Sequence, residues 1–157
     1  MVSGGCPSLW ARHALARLCF LGSALMAGAH PDDEYTEVLV YLVRVRKART
    51  AYLSLTRGEG GQNMLGPERD ELLGLLRTQE LLAARAIDGA EQYFTRAIDF
   101  GYSRSPEDTL SKWDRDLILG DIVWLIRRLK PDVVIQTIEG ASSGRHGHHR
   151  ADEFGLR

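Results

Sequence analysis

Several features that would place this chain in a specialised class of proteins are missing. It has 2 cysteines, Cys6 and Cys19, and neither has a partner at Cys-x-x-Cys spacing, so we interpret both as free thiols. Its 20 Lys and Arg against 21 Asp and Glu give a net charge of −1, whereas nucleic-acid-binding proteins usually carry a basic excess. No internal repeat or low-complexity tract is visible. What remains is 157 residues, 44% of them hydrophobic, which suffices for one globular domain with a core.

A long apolar run is also absent, because the stretch 18–29 is too short for a transmembrane helix. Arg12 and Arg17 precede it and Ala-Gly-Ala ends it, which is typical of a secretory signal peptide. In the alternative interpretation its second half is a buried strand that carries His30, and cleavage after residue 29 would remove that strand. We favour the strand, since a ligand needs a rigid platform. We therefore expect a cytoplasmic protein without a stable membrane anchor, with a secreted or periplasmic one as the alternative.

The rest of the chain alternates between strand-like and helix-like segments. Residues 1–15 are interpreted as a poorly specified leader and 16–157 as one domain. Such alternation predicts an α/β fold, a Rossmann-like three-layer sandwich around a mainly parallel sheet. Its expected elements after the first strand are a helix over 36–48, a strand over 51–56, a helix from Pro67 to about 87, a strand over 92–95, a polar loop over 100–110, a helix over 114–130 and a strand over 133–138.

Residues 29–34, Ala-His-Pro-Asp-Asp-Glu, follow the first predicted strand and carry the most informative chemistry. His30 and Asp33 offer a nitrogen and an oxygen ligand, and Asp32 is a second carboxylate beside them. A metal site with a spare carboxylate suits a hydrolase that activates water. On residue type alone Asp32 would instead cap the N-terminus of the following helix. Glu34 would interact favourably with the positive N-terminal end of that helix, or would hydrogen-bond a ligand histidine.

A second group of possible ligands follows the last predicted strand, in the string Arg-His-Gly-His-His-Arg at 145–150. Histidine-rich loops are often simply solvated. Ligands in parallel sheets, however, bind at the carboxyl ends of the strands, so this string should share an edge with His30. Two histidines and one carboxylate would leave a fourth position open for water, as in catalytic zinc sites. The glycine-rich loop 57–63 lies at the same edge but lacks the Lys-Ser/Thr of a nucleotide-binding P-loop.

These motifs together resemble those of the LmbE/PIG-L family of zinc-dependent N-acetylglucosaminyl deacetylases. The match rests on Ala29-His-Pro-Asp-Asp-Glu34 and His146-Gly-His-His-Arg-Ala151, with weaker likeness at 56–63 and 76–83. The resemblance implies a Rossmann-like sheet and a zinc cofactor. It also implies that the enzyme hydrolyses an N-acetylglucosamine-type substrate to acetate and a free amino sugar. A metal- or sugar-binding remnant without catalysis is the alternative.

Site residues follow from the resemblance position by position. His30, Asp33 and His149 would bind zinc, and Asp32 would be the general base. The remaining roles are an oxyanion contact for His146 and a substrate contact for Arg77, which could instead pair with Glu80 on its helix. Tyr102, in a polar loop, is our own candidate for stacking on a sugar ring, and His148 stands where the family often has Asp.

Family members usually continue with further strands after the histidine motif. This chain ends at Arg157, a few residues beyond that motif. We therefore expect a domain that is incomplete at its C-terminus, with an exposed sheet edge and uncovered apolar surface. The sequence leaves the oligomeric state and the group attached to the sugar open.

Overall fold

The computed structural model describes residues 11, 15–16, 19–136 and 147–148, which form an α/β sandwich around a four-stranded sheet. The strands are β1 (Ser23–Gly28), β2 (Arg49–Ser54), β3 (Glu91–Phe94) and β4 (Val133–Gln136), in the order β3-β2-β1-β4. All three pairings are parallel. The α-helices are α1 (Thr36–Val40), α2 (Asp70–Asp88), α3 (Pro106–Lys112) and α4 (Arg115–Leu129). The predicted α/β fold with a parallel sheet is therefore confirmed.

Strand β1 lies inside this sheet, between β2 and β4. Its sequence Ser-Ala-Leu-Met-Ala-Gly is buried from Ala24 onward, as expected for a strand covered on both faces. Ser23 ties its start to β4, since its backbone N–H and its hydroxyl both donate to the Asp132 carboxylate, at 2.7 and 2.8 Å. The strand interpretation of this segment is thus confirmed, because the segment forms a central strand of the sheet. Cleavage after Ala29 would remove that strand.

The side chains of β1 alternate between two cores, as a strand requires. Leu25 and Ala27 pack on one face with buried residues of α4, namely Ile118, Ile122 and Leu125. Met26 packs on the other face with Leu39 of α1 and Tyr52 of β2. The sheet is therefore covered on both faces by apolar side chains, and its loops are left to carry the polar chemistry.

Three predicted elements differ from those observed by more than two residues or in kind. The helix predicted over 36–48 is α1 followed by a π-helical turn at Tyr41–Val45, and its N-cap residue is Tyr35, so Asp32 does not cap it. Helix α2 begins at Asp70 rather than at Pro67. Helix α3 lies within the predicted polar loop, where Ser105 accepts a hydrogen bond from the Asp108 N–H and Pro106 occupies the first turn. This Ser-Pro-Glu-Asp run is a helix-start signal that the loop interpretation missed.

Strand β4 has a neighbour on one side among the described strands, and its first two residues, Val133 and Val134, are 55% and 42% exposed. The predicted strand over 133–138 is described as far as Gln136. Within the described residues, no helix is both long and apolar enough to cross a membrane.

Candidate metal centre and active site

A cleft of about 770 Å³ opens at the carboxyl ends of the strands and contains most of the residues that the sequence singled out. Its lining includes five of them: His30, Asp32, Asp33, Arg77 and Tyr102. They come from three separate segments of the chain, the loop after β1, helix α2 and the loop after β3. The parallel sheet brings the two loops together because each follows a strand that ends at the same edge, and α2 adds Arg77 to the lining.

The loop after β1 is a tight turn held by two hydrogen bonds between His30 and Asp33. The His30 N–H donates to Asp33 Oδ2 at 2.7 Å, and the Asp33 N–H donates back to the His30 carbonyl at 3.3 Å. Tyr52, fully buried in β2, donates its hydroxyl to the same carbonyl at 2.6 Å. These contacts fix the backbone from which the His30 imidazole projects into the cleft.

The imidazole of His30 meets a second histidine and a buried carboxylate. Its Nε2 lies 2.9 Å from His148 Nδ1, a hydrogen-bond distance, and 3.9 Å from Asp99 Oδ2. His148 Nδ1 is 3.8 Å from Asp99 Oδ1. One ligand atom from each of the three residues lies within 4.8 Å of the others. Two imidazole nitrogens and one carboxylate oxygen form a donor set that suits zinc, so these residues could hold a metal ion.

His148 is fully buried among aromatic rings. It stacks on Trp113 with ring centroids 4.7 Å apart and meets Phe100 edge-on at 4.4 Å. The preceding Gly147 donates its N–H to the Ser103 carbonyl at 2.9 Å. A Cβ at Gly147 would lie 2.2 Å from both Ser103 Oγ and the Ser105 carbonyl, so the close approach that seats His148 requires glycine here.

Asp99 is held in place by the glycine-rich loop after β2. The Asp99 N–H donates to Glu59 Oε2 at 3.1 Å, and Asp99 Oδ1 accepts from the Gly101 N–H at 2.8 Å. A Cβ at Gly60 would lie 2.0 Å from the Gly101 nitrogen. The two loops therefore touch through their backbones, and Gly60 of loop 57–63 allows this contact.

The surroundings of His30 raise its pKa above the ordinary value of 6.5. Burial alone would lower the pKa, but the hydrogen bond to Asp33 and the charges of Asp33, Asp99 and Asp32 outweigh it. The ring thus binds a proton more readily than a free histidine does. A metal ion must displace that proton, and metal affinity should therefore fall as the pH falls.

The predicted site residues differ in their surroundings. Asp33 lies 3.5 Å from His30 Nδ1, on the other side of the ring from the three-residue group. Asp32 is exposed at the cleft. Arg77 pairs with Glu80 at 2.6 Å, as the helix spacing allows, and donates to the Gln62 carbonyl at 3.3 Å. Tyr102 is 70% exposed.

His146 and His149 lie outside the described residues, so their predicted roles stay predictions. The sequence prediction did not include Asp99, and it treated His148 as a departure from a motif. Asp99 had a weak signal, an acid after a predicted strand and two residues before a glycine. The histidine-rich string at 145–150 indicated a ligand, but nothing in the sequence shows that His148 rather than a neighbouring histidine faces His30.

Comparison with known proteins finds relatives among sugar deacetylases. The chain is 29% identical over 151 residues to a 1D-myo-inositol 2-acetamido-2-deoxy-alpha-D-glucopyranoside deacetylase of Thermobispora bispora, covering 85% of this chain and 50% of the relative. A protein of the same description from Geodermatophilus obscurus is also 29% identical, over 150 residues, with 85% and 51% covered. The chain thus spans about half the length of the curated relatives it matches.

Solved structures share the fold at lower identity. The N,N'-diacetylchitobiose deacetylase of Pyrococcus horikoshii aligns with a TM-score of 0.62 and 17% identity, over 98% of this chain and 58% of its own. The 4-carboxy-2-hydroxymuconate hydratase GalB of Pseudomonas putida aligns with a TM-score of 0.64 and 21% identity, over 86% and 54%. A deacetylase and a hydratase therefore share this fold, and the fold by itself does not name the reaction.

The family is established by a match that covers most of the chain. The family model of GlcNAc-PI de-N-acetylase, PIG-L, matches residues 25–156, from the middle of β1 through the whole histidine string. Both motifs that the sequence singled out lie within this range. The chain belongs to the PIG-L family.

Proposed function

We propose that this chain is a zinc-dependent hydrolase that removes the acetyl group from an N-acetylglucosamine-type substrate. The supporting observation is the cleft at the carboxyl ends of the strands. It holds His30, Asp33 and the spare carboxylate of Asp32 together, and His148 lies against His30. Family membership and the activities for which the relatives are named point to the same reaction.

The zinc ligands in this proposal are His30, Asp33 and His149. His30 and Asp33 have side chains that are 14% and 18% exposed at the cleft, so a metal ion there can be reached by substrate. The alternative set of His30, Asp99 and His148 has the same donor chemistry, but His148 is fully buried and the Asp99 side chain is 6% exposed. A catalytic ion must keep a position open for water, which favours the more exposed Asp33 over the buried Asp99 and His148 as a ligand beside His30.

In this proposal Asp32 and His146 have separate roles in the reaction beside the metal ion. Zinc, when bound, supplies a Lewis acid that makes water more acidic and polarises a carbonyl oxygen. Asp32, exposed in the same cleft, accepts the proton of the attacking water and passes it to the leaving nitrogen as the amide C–N bond breaks. His146 would stabilise the negative charge that develops on the carbonyl oxygen. The products are acetate and a free amino sugar.

The substrate is a small N-acetylated amino sugar in this proposal. Arg77 and Tyr102 line the cleft on the side of α2 and of the loop after β3. A guanidinium is well suited to hydroxyl oxygens, and an exposed phenol ring can stack on a sugar face. The curated relatives are named for an inositol-linked substrate, which makes such a glucosaminide the first compound to test.

The deciding experiment measures zinc content and acetate release for the 157-residue chain and for Asp32→Asn. We expect about one bound zinc and measurable acetate release in the wild type. In Asp32→Asn we expect unchanged zinc and a loss of turnover on the order of 100-fold or more, because a general base contributes about that much. Asp116→Asn, an exposed acid in the first turn of α4, is the matched control and should keep full activity.

Two results would reject this proposal. Zinc bound without acetate release would favour the alternative, a metal- or sugar-binding remnant without catalysis. Full turnover in Asp32→Asn would remove the general base from the mechanism.

A further inference from the structure

Arg85 is a charged side chain buried behind the candidate active site. It is 4% exposed and projects from the last turns of α2. Its Nε donates to Asp88 Oδ2 at 2.9 Å, and its Nη2 lies 2.8 Å from the same oxygen. Because a buried guanidinium is costly to desolvate, its partners indicate what it holds in place.

One of these partners is the last residue of the motif after β1. Arg85 Nη2 donates to Glu34 Oε1 at 3.1 Å, across a sequence separation of 51 residues. The Glu34 side chain is 11% exposed. Its other oxygen, Oε2, is buried and has no hydrogen-bond partner among the described residues. The Glu34 carboxylate, and with it the end of the motif loop, is therefore bound to α2 through Arg85.

The start of the motif is reached by a second route. The Arg85 guanidinium carbon lies 5.8 Å from the ring centroid of Tyr52, within the range of a cation–π contact. Tyr52 in turn donates its hydroxyl to the His30 carbonyl at 2.6 Å. Arg85 Nη1 also donates to Gln92 Oε1 at 3.3 Å, and Gln92 Nε2 reaches the Tyr52 carbonyl at 3.4 Å. Both ends of the segment 30–34 are thus linked to one guanidinium, Glu34 directly and His30 through Tyr52.

The opposite side of the guanidinium is anchored in a rigid part of the fold. Asp88, 3% exposed at its side chain, is the last residue of α2 and also accepts from the Ala90 N–H at 2.8 Å. Gly89, with φ of 88°, ends the helix in the left-handed conformation that glycine favours. The Arg85 guanidinium therefore connects the end of α2, strands β2 and β3, and the motif loop.

We propose that Arg85 is a positioning residue for the site: it holds the 30–34 loop through Glu34 and Tyr52 so that His30 and Asp33 keep their geometry. The inference rests on the proposed metal role of these two residues. The planar fork of arginine is required, because one guanidinium must bind two carboxylates, an amide oxygen and a ring face, and an ammonium group cannot match that geometry. Removing it frees the loop without removing any residue of the proposed site.

The test compares Arg85→Lys and Glu34→Gln with the wild-type chain by zinc titration against a competing chelator. We expect each variant to lose zinc affinity by about 10- to 100-fold, the usual effect of removing a group that orients a metal ligand. If Arg85 acts through Glu34, the double variant should lose no more than the weaker-binding single variant. The second single variant keeps the test valid if one of the two does not fold.

Leu125→Ala is the control for a merely structural role. Leu125 is 3% exposed in α4, on the opposite face of the sheet from Arg85, and its truncation should lower the unfolding temperature without touching the loop. At a temperature where all variants are folded, Leu125→Ala should keep wild-type zinc affinity. Wild-type affinity in either folded Arg85→Lys or Glu34→Gln would overturn the inference, as would an equal loss in Leu125→Ala.

The test separates this inference from the proposed function. Zinc binding without acetate release contradicts the proposed function, but the zinc affinities of the variants still test the role of Arg85. If the wild-type chain binds no zinc, the NMR resonances of the His30 ring test whether Arg85 fixes the position of that ring. They should shift in Arg85→Lys and stay in place in Leu125→Ala, and unchanged His30 resonances in Arg85→Lys would overturn the inference.

Discussion

The two sides of the His30 imidazole are built in different ways. On the Nδ1 side Asp33 lies 3.5 Å away, three residues further along the same turn. On the Nε2 side the neighbours are His148, 118 positions away in the sequence, and Asp99 from the loop after β3. The first side is a local turn, while the second requires the whole sheet to be assembled.

The contrast indicates which contacts of the site are robust. The local side depends on the turn after β1, where His30 and Asp33 bond each other's backbone. The long-range side depends on close backbone contacts between loops, such as those of Gly60 with Gly101 and of Gly147 with Ser103. Changes in distant loops should therefore disturb the Nε2 side and leave the Nδ1 side in place.

The largest effect should come from removing the ring that the two sides share. His30→Ala should lower zinc affinity on the order of 100- to 1000-fold. This follows because a structural zinc held by four protein ligands binds with about 10–16 kcal/mol, which gives about 2.5–4 kcal/mol for each ligand. Isothermal titration of the chain with zinc measures it. Near wild-type affinity in His30→Ala would remove His30 from both possible ligand sets.

The next prediction separates the two carboxylates. We expect Asp33→Asn to lose zinc affinity by on the order of 100-fold or more, as a ligand does. Asp99→Asn should lose about 10- to 100-fold, as a group that orients a ligand does. The same titration applied to both isosteric variants gives the order. The reverse order would assign the metal to the buried group of His30, Asp99 and His148 and would leave Asp33 as the residue that orients His30.

A smaller effect should follow from disturbing the long-range side alone. Gly147→Ala places a methyl group 2.2 Å from Ser103 Oγ and the Ser105 carbonyl, so the segment that carries His148 must shift. We expect about a tenfold loss of zinc affinity, the lower end of what a displaced supporting group costs. Gly120→Ala is the matched control, since no atom lies within 4 Å of its added Cβ, and in α4 it should slightly stabilise the chain. A loss in Gly120→Ala equal to that in Gly147→Ala would contradict this prediction.

The smallest effect concerns the β1–β4 pairing on which the long-range side depends. Hydrogen bonds from Ser23, first through its side chain and then through its backbone, lower the pKa of Asp132 from 3.8. A carboxyl whose pKa is lowered by folding adds stability above its unfolded pKa and loses it as the pH falls through its folded value. Ser23→Ala should therefore lower stability slightly at pH 7 and flatten its loss below about pH 4. Urea unfolding at pH 7 and pH 3 measures this, and an unchanged pH dependence would contradict it.

The sequence allowed the parallel sheet and the local side of the site to be predicted, for physical reasons. Strand β1 is a continuous apolar run, and α4 has apolar residues at helical spacing between Asp114 and Lys130, so their burial decides their conformation. His30, Asp32 and Asp33 stand in one short loop, and a parallel sheet places such a loop at its carboxyl edge. Tyr102, in the loop after β3, lies in the same cleft for the same reason, whereas Arg77 lies on α2 and its role came from the family resemblance.

The remaining contacts could not be predicted because they depend on packing between distant segments. Asp99 reaches His30 because Gly60 allows two loop backbones to touch, which no local pattern encodes. His148 faces His30 from between Trp113 and Phe100, and ring packing of this kind is decided in three dimensions. The spacing of apolar residues also cannot predict that α1 is followed by a π-helical turn.

The central position of β1 has a consequence for the order in which this molecule folds. Strand β1 comes first along the described sheet, yet its partner β4 is more than a hundred residues away, as the 109-residue separation of Ser23 and Asp132 shows. Closing so long a loop is slow compared with forming local helices. During synthesis β1 can pair with β2 early, but the edge of β1 that faces β4 must stay unpaired until β4 has emerged from the ribosome. The long-range half of the metal centre should consequently mature late, and chaperones that shield apolar strands should raise the yield of folded protein.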